Sequence, residues 1–313
     1  MDLRQLNALV AVADHGGFSA AADALHTVQS NVSTHVARLE AELGVTLVDR
    51  HAGRLTDEGA VVVARARRMA SEVEGVTADL AALRHEIIGP ARLGMIGTTA
   101  RWLVPRVLDM INERHPGVHL VVVEATSTSL EPRLLSASLD LAVVNLPIPG
   151  QDLSSEPLFD EDLVLVVPPD HPLVSRPHVE MADLAGVPLL LPPPGTAFRG
   201  EIDAAATAAG IVLRPLAEVD GLRLIAGMAM EGKGPAVVPA TGVLGPSDRE
   251  RWRALTVRGL PRRRVGVAQR RRGLPAPPAR AVLEVLREIT SNTTDLRGVH
   301  PPSMGLGNMP VAP

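Results

Sequence analysis

Apolar positions in the first sixty residues fall at helical spacing three times over. Leu3, Leu6, Leu9, Val10 and Ala13 share one face of a first helix, which His15-Gly16-Gly17 brings to an end. Phe18 ahead of Ser19 has the form of an apolar residue preceding a serine cap. A second helix with Ala21, Ala22 and Leu25 facing inward then runs to a polar break at His26 and Thr27. A third helix starts near Gln29, buries Val32, Val36, Leu39 and Leu43, and stops at Gly44. Gln29, Ser30, Ser33, Thr34 and Arg38 are left on its outward side. Two short helices joined by a tight turn are the unit that lays a recognition helix in the DNA major groove. Next, residues 45–48 and 55–56 bracket a short segment that holds Arg50 and Arg54, the pattern of a small β wing with a basic tip. Beyond it Val62, Ala66, Met69, Val73, Val76, Leu80, Leu83 and Ile87 recur four and three apart. That is the seam of a coiled coil, closed by Gly89-Pro90 as a hinge.

The pattern then changes to apolar runs alternating with amphipathic stretches. Strands are expected at 92–96, 118–124, 139–144, 163–167, 188–191, 236–238 and 265–268, and helices at 102–112, 130–137, 197–209, 222–230 and 279–289. Such alternation means βαβ units and mainly parallel sheets covered on both faces. The expected division is a DNA-reading domain at 1–58, a dimerising linker helix at 59–89 and a two-lobed α/β domain at 90–290. Lobe I takes 90–167 and 265–290, lobe II takes 168–264, and an aperiodic tail at 291–313 is expected to be disordered.

Composition narrows the chemistry. The 313 residues contain no cysteine, which excludes disulfides, thiolate metal sites and a cysteine nucleophile. The histidines form no group with metal-ligand spacing, and no nucleophile elbow is present, so neither metal nor catalysis is expected. No apolar run is long enough to span a bilayer, and the N-terminus lacks the form of a signal peptide, so a cytoplasmic protein is expected. Net charge is −4, and residues 1–58 hold more acidic than basic side chains, which keeps open a two-lobed solute-binding or scaffold protein that no longer binds DNA. The stretch from Gly227 to Gly234, with Lys233, nearly matches a phosphate loop. It follows a helix and precedes a strand, the reverse of what that loop needs, so it reads as a helix end.

The segment AAADALHTVQSNVSTHVARLEAELGVTLVDR followed by LTDEGA resembles the LysR-type transcriptional regulators, as do LGMIGTT, LVPRVLDMINERHPGVHLVVVEA, EPLFDEDLVLVVPPDHPL and GPAVVP further on. The resemblance spans nearly the whole chain. It implies a multidomain α plus α/β fold: a winged helix-turn-helix, a coiled-coil linker helix and a two-lobed effector-binding domain resembling type 2 periplasmic binding proteins. It also implies double-stranded DNA with an inverted-repeat site as partner, assembly as a homodimer or homotetramer, and no cofactor other than a small-molecule effector. At Val28 the family usually has Ser or Thr, which implies a shifted or lost cap here. Ser30, Asn31 and Thr34 also depart from the family's habits.

Candidate DNA contacts are Gln29, Ser30, Asn31, Ser33 and Thr34 at base edges, and Arg38, Arg50 and Arg54 on phosphate or in the minor groove. Arg38 can equally pair with Glu42 one turn on. Candidate effector contacts are Thr98, Thr99, Thr126 and Ser127 on one lobe and Gly195, Thr196, Phe198 and Arg199 on the other. A helix N-terminus at Thr98 facing the Arg199 guanidinium would suit a small carboxylate.

Overall fold

A computed structural model describes residues 1–50, 52–244, 251–292 and 296–303. Helix α1 (Leu3–His15) opens with a capping box between Asp2 and Gln5 and closes at Gly16 with φ 73°. Helix α2 (Phe18–Ala24) is followed by α3 (Gln29–Leu43), which closes at Gly44 with φ 70°. Strands β1 (Val48–Asp49) and β2 (Arg54–Leu55) form the wing, and α4 (Asp57–Ala82) starts under a Thr56 cap. Leu6, Leu9, Val12, Ala21, Val32, Val36, Leu39 and Leu47 make one core, into which Val63 and Ala66 of α4 also pack. Gly59 lets α4 pass the wing's base, because a Cβ there would stand 2.0 Å from the Leu47 carbonyl oxygen.

Three local expectations change. Phe18 is the first residue of α2 and its cap is Gly17, which has no side chain, so Ser19 caps nothing. Leu43 sits at the exposed edge of the α3 stripe. The linker helix ends at Ala82, seven residues before its expected end at 89, because His85 adopts a left-handed backbone (φ 63°). The seam is accordingly shared out. Val62 and Ala66 pack into the DNA-reading core and Ile87 packs on lobe I, while Met69, Val73, Val76 and Leu80 stay exposed.

Lobe I comprises β3 (Gly89–Met95), α5 (Gly97–Arg114), β4 (Val118–Glu124), α6 (Ser127–Leu135) and β5 (Leu141–Leu146). The long β6 (Leu153–Val167) leads into lobe II, which holds β7 (Val179–Glu180), β8 (Pro188–Leu191), α7 (Ala197–Ala208), β9 (Arg214–Glu218), α8 (Leu222–Met230), β10 (Ala236–Pro239) and β11 (Arg253–Arg258). The chain returns along β12 (Arg262–Arg270) into α9 (Pro277–Ser291) and β13 (Val299–His300). The strand order is β4-β3-β5-β12-β6-β10-β8-β9, with β11 on β6 and β7 and β13 on β6. Both flanks are parallel, as the alternation predicts; β5, β12, β6 and β10 are antiparallel, because β6 and β12 run between the lobes in opposite directions.

The division between lobes falls inside β6. Residues 153–162 pair with β12 in lobe I, and 163–167 pair with β10 and β11 in lobe II. Residues 163–167 therefore belong to lobe II rather than lobe I, and β12 joins lobe I from Arg262. In lobe II, Leu165 and Leu189 face one core while Val166 and Leu190 face another, so the sheet is covered on both sides. The expectation of a disordered tail fails for 296–303. Val299 and His300 pair with Glu161 and Asp160, Gly298 O accepts from Asp162 N at 2.8 Å, and His300 Nε2 meets Asp162 Oδ2 at 2.8 Å. The backbone amide of Ser303 donates to Asp160 Oδ2 at 3.0 Å, and Arg264 holds both that carboxylate and Ser303 O. His51 of the wing and residues 293–295 and 304–313 of the tail lie outside the described residues. Among the described residues no helix is long and apolar enough to cross a membrane, and no group of side chains could hold a metal ion.

Candidate functional site

The first candidate surface is built on α3. Its N-cap Val28 gives no side-chain hydrogen bond; instead Asn31 Nδ2 reaches back to Thr27 Oγ1 at 3.0 Å. The side-chain cap is therefore lost rather than shifted; Asn31 N donates to the Val28 carbonyl at 3.0 Å, and no side chain caps the first turn. Gln29, Ser30, Asn31 and Thr34 are exposed, with Thr34 Oγ1 donating to the Ser30 carbonyl at 2.7 Å. Arg50 does not stand free at a wing tip. Its Nη1 donates to Ser33 Oγ at 3.1 Å, its guanidinium lies 5.2 Å over the Phe18 ring, and Glu40 stands 3.5 Å from Nη2. The wing is thus tied to the recognition helix, and Ser33 is engaged from behind. Glu42 is taken by the amino terminus, so Arg38 is not its partner. Arg38 and Arg54 are exposed and make no ion pair among the described residues.

The second candidate lies where β6 and β12 cross between the lobes. Thr98 and Thr99 occupy the first turn of α5 and are both buried. The Thr98 methyl packs towards Gly242 in the 3-10 turn Ala240–Val243 of lobe II. The end of α5 already has a carboxylate: Glu124 lies so close to Gly97 that a Cβ there would be 2.7 Å from Oε1, and Glu124 pairs across to Arg223 of α8 at 3.3 Å. Thr126 and Thr196 each cap the helix they precede, Ser127 Oγ accepts from Asn145 N at 3.0 Å, and Gly195 supplies a left-handed turn (φ 88°).

Arg199 does not oppose Thr98. Its Nε binds Asp203 at 2.9 Å, its Nη1 donates to Pro192 O at 2.9 Å, and Glu218 stands 3.3 Å away. The guanidinium in the crossover is Arg263. It is 6% exposed, donates to Asn145 Oδ1, sits 5.8 Å over the Phe198 ring, and stands 3.5 Å from the fully buried Glu161. Glu161 Oε2 in turn accepts from the amide and hydroxyl of Thr241, at 3.1 and 2.7 Å. Burial pushes the Glu201 carboxyl above its ordinary range, opposed by the charge of Arg263. Of the eight expected effector residues, Ser127 and Phe198 are drawn together, through Asn145 and Arg263.

Arg263, Glu161, Asn145 and Glu201 escaped the sequence reading, although strand parity contains the signal. Arg263 shares a face with Val265 and Val267, and Glu161 shares one with Phe159 and Leu163, all buried. A charged residue in register with a buried row is a buried charge.

Residues 3–60 match the family model described as bacterial regulatory helix-turn-helix protein, lysR family, and residues 84–291 match the LysR substrate binding domain. The DNA-binding transcriptional dual regulator OxyR of Escherichia coli (strain K12) is 32% identical over 294 residues, 92% of this chain and 94% of that protein. A probable hydrogen peroxide-inducible genes activator of Streptomyces viridosporus is 33% identical over 292 residues, 91% and 93%. A solved structure of a full-length cysteine-to-aspartate OxyR variant from Pseudomonas aeruginosa superposes with a TM-score of 0.76 at 27% identity, over 96% of this chain and 97% of that one.

Proposed function

Because the chain belongs to the LysR family, and so is an oligomeric, DNA-binding transcription regulator modulated by a small-molecule effector, we propose that its effector binds reversibly at the Arg263 crossover rather than by oxidising a thiol. Relatives bear names that refer to hydrogen peroxide. Peroxide signalling through sulfur starts with a thiolate that attacks oxygen and becomes a sulfenic acid. These 313 residues offer no thiol. The observation that carries the reading is the buried Arg263–Glu161 pair set on the two strands that join the lobes. A molecule held there contacts both lobes at once, and its binding energy biases their angle.

The output is read by α3. Gln29, Ser30, Asn31 and Thr34 face base edges, and Arg38 and Arg54 neutralise phosphates. The exposed apolar stripe of α4 pairs two such readers, and a change of lobe angle alters the spacing or bend imposed on DNA. The protein works in the cytoplasm as a regulator and performs no catalysis.

The test is fluorescence anisotropy of the full chain on its own upstream DNA, before and after exposure to excess peroxide, with intact mass followed in parallel. Unchanged DNA affinity in unmodified protein is expected. A peroxide-driven change in affinity that tracks an added oxygen would overturn the reading.

A further inference from the structure

A cavity of about 320 Å³ opens between α4 and lobe I, within the size range of small-ligand sites. Arg65, Arg68 and Glu72 line it from α4, spaced three and four residues apart and so on one face of that helix. Asp152, Arg270 and Arg272 line it from lobe I. No ion pair joins any of these six side chains among the described residues. Four guanidiniums and two carboxylates leave surplus positive charge around one space. Burial pushes the Arg270 guanidinium below its ordinary value, and Arg68 pushes the same way, against Asp140 and Glu72. A guanidinium keeps its proton near neutrality, so what relieves such a crowd is an anion.

Two of the arginines are fixed in place. Arg68 Nε donates to Leu135 O at 2.8 Å, and Arg270 Nη1 donates to Leu134 O and Leu139 O at 3.2 and 3.0 Å. These carbonyls lie at the end of α6 and just beyond it. Each guanidinium is therefore held by one nitrogen. Arg68 keeps Nη1 and Nη2, the pair at its tip, and Arg270 keeps Nε and Nη2, the pair along one edge. Either pair is a fork that takes two oxygens of one group. The two oxygens of a monocarboxylate occupy one fork. A tetrahedral oxyanion has oxygens for both, and at pH 7 a phosphate group carries about 1.5 to 2 negative charges against the surplus. Glu72 and Asp152 decide between phosphate and sulfate. A carboxylate accepts the hydrogen that a monohydrogen phosphate still carries, and it repels a sulfate, which has none to give.

We propose that this cavity is a phosphate site between the linker helix and lobe I, separate from the Arg263 crossover, and that it takes inorganic phosphate or the phosphate group of a small metabolite. A phosphate gripped by Arg68 and Arg270 touches both elements at once, so its binding energy favours the arrangement in which α4 lies along lobe I.

The experiment is calorimetry of the full chain, without DNA and at constant ionic strength, with inorganic phosphate, AMP, glucose 6-phosphate, sulfate and succinate. Inorganic phosphate or one of the two phosphomonoesters should bind about tenfold or more tighter than sulfate and succinate. Which of the three binds best tells the free ion from a metabolite. Arg65→Ala with Arg272→Ala should weaken that binding about tenfold or more, while Arg65→Lys with Arg272→Lys keeps most of it. Both side chains are exposed and make no hydrogen bond or ion pair among the described residues, so the ligand-free melting temperature should not move. Arg270→Gln should abolish binding, and Glu72→Gln should erase the discrimination against sulfate. Should Arg270→Gln fail to fold by circular dichroism, the exposed double variant still decides.

No saturable binding of any phosphate compound overturns the site, as does equal binding of succinate or sulfate, or binding that the double alanine variant leaves unchanged. A double variant that loses affinity for DNA, in a chain that binds no phosphate compound, would assign these arginines to the nucleic-acid backbone instead.

Discussion

Arg38 and Arg54 on the DNA-reading domain and Arg263 between the lobes are the same residue put to opposite physical use. The first two are exposed and make no ion pair among the described residues, in an environment where an ion pair is worth about 0–1 kcal/mol. Their charge stays available for phosphate, and folding does not depend on it. Arg263 is sealed beside Glu161, where removing one partner leaves an uncompensated charge. At the surface, then, the proposed binding role and stability are separable; at the crossover the group proposed to meet the effector is also half of a buried ion pair.

That separation can be broken most severely from a third place, the exposed stripe of α4. Val73→Glu together with Leu80→Glu faces like charges across a seam that wants apolar contact. Sedimentation should show dissociation, and DNA affinity should fall roughly 10²-fold or more as bivalency is lost. An intact oligomer would place assembly elsewhere.

Arg263→Met should destabilise the chain by about 3–5 kcal/mol, and adding Glu161→Leu should restore much of the loss. Urea denaturation measures both; additive losses would mean that the two charges are not coupled.

On the exposed side the effects are smaller and leave stability alone. Arg38→Ala and Arg54→Ala should each reduce the slope of log affinity against log salt by about one, equally on all sequences. Arg50→Ala should behave differently, since it releases Ser33 and thereby alters base preference; a change in slope alone would show that its contact to Ser33 is incidental.

Acid should produce the smallest effect. Burial opposes ionisation of Asp160, but Arg264 and Ser303 outweigh it and hold the carboxyl below its ordinary value. A lowered folded pKa means stability that is present above the unfolded value of about 3.9 and is lost as pH falls through the folded one. Asp160→Asn should therefore flatten the loss of stability below about pH 4. Parallel acid profiles for the two proteins would contradict it.

The same contrast explains what was legible beforehand. The α3 stripe, the closing glycines and the βαβ alternation are local patterns, and Val32, Val36, Gly16 and Gly44 behave as their spacing demands. Arg199 turned aside to Asp203, one helical turn away, and to Glu218 on β9, a strand the pattern did not reveal because none of its residues is buried. Arg262, Arg263 and Arg264 resemble a solvated run until strand parity sends the middle one inward. The end of α4 was missed because the heptad spacing continues to Ile87 while a single backbone reversal at His85 redirects it. The tail was missed because β13 is only two residues long: Val299 and the preceding Leu296 do pack on the lobe I core, but two apolar residues beside backbone pairing and polar contacts make no period.

Lobe II is assembled from one unbroken stretch of chain, whereas lobe I needs β12 and α9 from beyond it. On the ribosome the reader therefore completes first, lobe II can follow, and lobe I waits until β12 and α9 have been made. A nonsense mutation near residue 260 would release a chain whose reader and seam are finished but whose lobes cannot be joined. Such a product should still pair with intact chains and occupy their operators without answering the effector. Co-expressed with the full chain it should be genetically dominant, and recessive behaviour would show that the reader does not survive without its regulator.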